Sequence, residues 1–80
     1  MSPNDLIRAV RERPFEPFRL YLSDGTSHDV RHPDMMIVGV RTSHIAVPAA
    51  DAPDLADYTV KVDNLHITKM VPLASEAPTR

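Results

Sequence analysis

The chain has no cysteine and no tryptophan, and only two glycines, two phenylalanines and two tyrosines. Without cysteine it can form no disulfide, no thiolate zinc site and no thiol nucleophile. Two glycines, Gly25 and Gly39, cannot build a glycine-rich phosphate loop. No apolar stretch reaches the ~18–20 residues that a membrane helix needs. The longest run, Met35 to Val40, is of a length that suits a buried strand. The opening Met1-Ser2-Pro3-Asn4-Asp5 has no basic segment leading into an apolar one, so no secretory signal is expected. A positive excess is missing too: nine Lys and Arg face eleven Asp and Glu, for a net charge of −2. That is not the footprint of a general DNA-binding domain. These absences together lead to the expectation of a cytoplasmic protein with no membrane association.

What is present is a chain of 80 residues, enough for one domain. A domain of this size buries only about 60–65% of the surface its unfolded chain exposes, so its core is marginal. Small domains recover stability through disulfides, metals or oligomerisation. With disulfides excluded, self-association is the compensation to look for. The expected domain spans residues 1–72, with a disordered tail over 73–80.

Residues 2–13 read as a short helix. Ser2 is a good N-cap, Pro3 suits the first turn, and Asp5 sits where the helix dipole favours a negative charge. Leu6, Ile7 and Val10 supply one apolar face, and Pro14 stops the helix. Phe15-Glu16-Pro17 is an extended link. Phe18 to Leu22 alternates with period two, as a half-buried strand does. Ser23-Asp24-Gly25 is a turn, and Thr26 to His32 returns. A two-residue loop would set Leu20 opposite Asp29. A three-residue loop with Gly25 left-handed sets Leu22 opposite Thr26, Leu20 opposite His28 and Phe18 opposite Val30. The second is preferred, because it keeps Asp29 and Arg31 outward. Pro33 marks a bend or an edge. Further strands are expected at Met35–Arg41, His44–Val47, Tyr58–Val62 and His66–Val71. Pro48–Ala56 reads as a mobile surface loop and Asp63-Asn64 as a tight turn.

One helix and five to six short antiparallel strands make a mainly β protein (α+β by count). In so short a chain the sheet must curl to bury one face, which leads to an SH3-like or Sm-like barrel. The stretch Pro14 to Gly25, with Val30-Arg31-His32-Pro33 and Leu65-His66-Ile67, resembles a group of short uncharacterised bacterial proteins. The order of helix, Leu20-Tyr21-Leu22, Asp24-Gly25 turn and final Ile67–Pro72 strand is also similar in layout to the Sm-like protein Hfq, which forms rings through its last two strands and binds RNA. Hfq carries Tyr-Lys-His before its last strand, where this chain has Asp63-Asn64-Leu65. The likeness therefore implies a barrel and a tendency to assemble, not Hfq-type RNA contacts.

The side chains offer little catalytic chemistry. His28 and His32 are four apart, so on a straight strand their Cα atoms lie roughly 13 Å apart, too far to share an ion. Ser23, Ser27, Ser43 and Thr68 sit in no recognisable nucleophile turn. The expectation is no enzyme, no metal and no cofactor. Two surfaces remain. Arg8, Arg11, Arg19, Tyr21, Arg31 and Lys69 could form a cationic rim for RNA or another ligand. Tyr58, Val60, Val62, Ile67, Met70 and Val71 form apolar strand edges suited to a homo-oligomer or a protein partner. The favoured function is a non-enzymatic, self-associating protein-binding or scaffold module; the alternative is a divergent Sm-like RNA binder.

Overall fold

The computed structural model describes residues 1–76. Helix α1 spans Pro3–Arg11. Six strands follow: β1 Phe18–Leu22, β2 Ser27–Val30, β3 Met36–Ile37, β4 Thr42–Ala49, β5 Ala52–Asp63 and β6 Ile67–Pro72. Short 3-10 turns occupy Pro33–Met35, Asn64–His66 and Leu73–Glu76.

The helix begins as its sequence dictates. Ser2 Oγ accepts the Asp5 N–H at 3.2 Å, satisfying one of the N–H groups that a helix start leaves orphaned. The helix ends at Arg11 rather than residue 13, because Glu12 already has extended backbone. Leu6 is fully buried, and Ala9 and Val10 pack beside it. At nine residues the helix depends on that contact, since isolated helices this short are marginal in water.

The β1–β2 hairpin takes the three-residue-loop register. Phe18 pairs with Val30 and Leu20 with His28. Leu22 N–H donates to Thr26 O at 2.9 Å, and Gly25 adopts φ +90. That positive φ is the reason the turn needs glycine. The loop is further held by Asp24 Oδ1, which accepts the Thr26 N–H at 3.0 Å and its hydroxyl at 2.7 Å. β6 pairs on the other flank of β1, Leu20 opposite Met70 and Tyr21 opposite Lys69.

The strands form two three-stranded antiparallel sheets, ordered β2-β1-β6 and β3-β4-β5. They do not close into the expected barrel. The ladder breaks where β2 would hand over to β3: Pro33 lacks a donor and starts a 3-10 turn that rotates the chain out of the sheet. It breaks again at Asn64–His66, between β5 and β6. The first sheet and the helix pack against the second around Leu6, Phe18, Leu20, Val30, Met36, Ile45, Val62 and Ile67.

Three other expectations change. Met35–Arg41 is not a buried strand. Only Met36 and Ile37 are in strand, Met36 is buried, and Ile37 and Val40 are 69% and 84% exposed. A side chain at Gly39 would collide with the Thr42 carbonyl, so the backbone doubles back there instead of running on. Pro48–Ala56 is not simply a loop: β4 and β5 continue into it, pairing Pro48 with Ala56 and Ala49 with Ala52 across two register shifts. Leu73–Glu76 form a 3-10 turn, with the Leu73 N–H bonded to Pro17 O at 3.0 Å. The rest of the expected tail, 77–80, lies outside the described residues.

Candidate functional site

Strand alternation sorts β1 into two faces. Phe18 and Leu20 point into the core, so Arg19 and Tyr21 point out. Register then places their neighbours. Arg19 lies between Asp29 on β2 and Val71 on β6; Tyr21 lies between Ser27 and Lys69. Arg19 Nε donates to Asp29 Oδ1 at 2.7 Å, and a second nitrogen reaches Oδ2 at 3.3 Å. Arg31 reaches the same Oδ2 at 3.3 Å. The Arg19 hydrogen bond holds the Asp29 carboxyl below its ordinary range, against a smaller opposing effect of burial. Asp29 in turn pushes the Arg19 guanidinium upward, with help from Tyr21. Lys69 Nζ sits 4.6 Å from the centre of the Tyr21 ring, within cation–π range. Three cations, one carboxylate and one aromatic ring thus share this face.

Four residues of the sequence-derived rim, Arg19, Tyr21, Arg31 and Lys69, are therefore brought together. Arg8 and Arg11 are not. They belong to α1, whose Leu6 packs against the opposite, core side of the same sheet. Arg8 lies 3.9 Å from Asp5 on an exposed helix surface, where such a pair contributes little.

The residues expected to mediate association also divide. β5 is an edge of its sheet and β6 an edge of the other. Tyr58 is 57% exposed, while Val60, Met70 and Val71 are half-buried. Val62 and Ile67 are 6% and 2% exposed, so their side chains belong to the core rather than to an exposed association surface. From Pro53 to Thr59 every residue of β5 is exposed. Leu55 is 66% exposed in that segment.

Between the β1–β2 turn and β5 lies an open cleft of about 560 Å³. Leu22, Val60 and Val62 give it an apolar floor; His28, Lys61 and His66 stand at its rim. Ser23 Oγ lies 2.9 Å from His66 Nδ1, and the Ser23 N–H donates to His66 O at 2.8 Å. The two nearest carboxylates are engaged in their own turns: Asp24 with Thr26, and Asp63 Oδ1 with the Leu65 N–H at 3.0 Å. Thr26 holds the Asp24 carboxyl below its ordinary range. The Ser23–His66 pair acts as a clasp between the hairpin tip and the turn before β6. Among the described residues no group of three or more His, Cys, Asp or Glu is placed to hold a metal ion.

Sequence reasoning missed one polar cluster. Ser43 is fully buried and Asn64 is 3% exposed. Ser43 Oγ donates to Asn64 Oδ1 at 2.7 Å, and Asn64 Nδ2 donates to Gly39 O at 2.9 Å. The Asn64 N–H bonds to Arg41 O at 2.8 Å. The amino group of Met1 donates to Asn64 O at 2.7 Å. This knot ties the Gly39 turn, β4, the turn before β6 and the start of α1. The sequence signal was weak: Ser43 and Asn64 each fit an ordinary turn.

No helix among the described residues is long and apolar enough to cross a membrane. No family model, curated protein or solved structure matches the chain.

Proposed function

We propose that this chain is a non-enzymatic cytoplasmic module that binds protein, copies of itself included, through its open strand edges. The observation that carries the reading is β5. It is twelve residues long and, among the described residues, paired along one side only. Its Leu55 and Tyr58 lie in solvent. An exposed edge strand with apolar side chains is a template for strand addition. Among the described residues only eight apolar side chains are buried, so closing an edge against a second copy would add to a small core. The same reading treats the two sheets as an opened relative of small SH3-like and Sm-like barrels.

Sedimentation velocity across a wide concentration range tests it. The expected result is a species heavier than the 8.9 kDa monomer. Tyr58→Lys should return the protein to monomer while its circular dichroism stays unchanged. A wild-type protein that stays monomeric at high concentration removes the reading. Ile67→Asp is not a useful probe, since Ile67 is core.

A second reading is favoured by a different observation, the grouping of Arg19, Tyr21, Arg31 and Lys69 on one sheet face. Cations beside a ring suit single-stranded RNA. Titration with a fluorescent oligonucleotide at two salt concentrations tests this. Binding that weakens steeply with salt supports it; no binding at low salt removes it.

A further inference from the structure

The cleft beside the hairpin has an unusual wall. Four consecutive residues of β5, Val60 to Asp63, line it. Neighbouring residues of a strand point to opposite faces, so a cavity touching all four must run along the strand's flank rather than over one face. That flank is the one without a strand partner, since among the described residues β5 pairs only with β4. The cleft therefore offers backbone N–H and C=O groups and an apolar floor together.

We propose that this cleft receives an extended peptide segment of another protein, added antiparallel to β5 opposite residues 59–63. The residues on β5 specify its sequence. Residues facing each other across an antiparallel pair share a face. Val60 and Val62 turn inward, half-buried and buried, so the positions opposite them take β-branched apolar side chains that rest on Leu22. Lys61 and Asp63 turn outward and are exposed. The position opposite Lys61 takes Glu or Asp, and the one opposite Asp63 takes Lys or Arg. Read from its N-terminus the segment is basic, apolar, acidic, apolar. The register shift between Val47 and Pro48, which leaves Asp57 outside the β4–β5 ladder, limits the regular edge to this stretch. The volume of about 560 Å³ falls within the range of ligand-binding clefts.

This inference rests on the reading above only in needing the β5 edge open, and the two can fail separately. The probe is acetyl-Lys-Val-Glu-Val-Thr-amide, titrated into the full 15N-labelled chain at a concentration where sedimentation shows monomer. Saturable amide shifts at Leu22, Val60, Val62 and His66 are expected. Acetyl-Glu-Val-Lys-Val-Thr-amide should bind about tenfold more weakly, because both charge pairs become repulsive. Lys61→Glu should favour a Lys-Val-Lys-Val-Thr probe over the original. Asp63→Asn, which keeps the oxygen that Leu65 uses, should reduce the preference for Lys at the first position. Shifts confined to other strands, equal binding of both peptides, or no shifts at all overturn the proposal. So does a concentration-dependent shift of the same residues without peptide, which identifies a second copy as the occupant. Peptide binding by a protein that never self-associates keeps this proposal and removes the assembly reading; self-association without peptide shifts does the reverse.

Discussion

The two three-stranded sheets are held in different ways. In β2-β1-β6, one face is sealed by Leu6 and the core, and the other carries an ordered charge cluster around Asp29. In β3-β4-β5, Ile45 and Val62 are anchored, but from Thr59 back to Pro53 every residue of β5 is exposed. Leu20 and Leu55 are the same residue type, at 0% and 66% exposure. Burial here is decided by whether a second layer exists, since hydrophobic stabilisation scales with area removed from water.

The sharpest way to test this contrast is to cut the same side chain in both places. Leu20→Ala should cost about 2–5 kcal/mol in urea unfolding, enough to unfold a marginal domain, whereas Leu55→Ala should stay within about 0.5 kcal/mol. Equal effects would mean that the outer half of β5 is packed. Next in size is the knot that joins the regions. Asn64→Ala strips partners from Ser43 Oγ and Gly39 O and should cost about 1–3 kcal/mol in the same assay. Gly25→Ala should cost about 1 kcal/mol, because φ +90 is strained for alanine although space is open.

The smallest expected effect concerns the Asp29 cluster. Its folded carboxyl titrates below its unfolded value of about 3.9, mainly through the Arg19 hydrogen bond. The stabilisation is therefore complete above that unfolded value and is lost as pH falls through the lowered folded one. Asp29→Asn should be less stable than wild type at pH 7, with the gap closing as the solution is acidified below about pH 4. A gap independent of pH would mean that the Arg19–Asp29 pair contributes nothing through its charge.

The local elements were legible where short-range chemistry dominates. Ser2 and Asp5 marked the helix start, and Asp24-Gly25 marked a turn whose register follows from keeping Phe18, Leu20 and Val30 on one side. Met35–Val40 misled because an apolar run says nothing about a facing layer, and Gly39 turns the chain before one can form. Pro48–Ala56 misled because Pro and Ala are poor strand formers, yet the β4–β5 ladder extends into them past register shifts. Of the candidate surfaces, the alternation of β1 placed Arg19 and Tyr21 together outward, and pairing with β6 added Lys69. No sequence pattern could tell that Arg8 and Arg11 would end on the far side of that sheet.

The amino-acid sequence by itself determined the helix cap, the β1–β2 turn, the mainly β character and the exclusion of cysteine chemistry, because each depends on residue type or on neighbours a few positions away. Only the tertiary structure decided that the strands divide into two open sheets, that Ser43 and Asn64 meet in the interior, and that β5 keeps a bare flank beside an apolar cleft. Those outcomes depend on contacts between residues some twenty to fifty positions apart, where packing geometry and hydrogen-bond satisfaction, rather than local preference, select the arrangement.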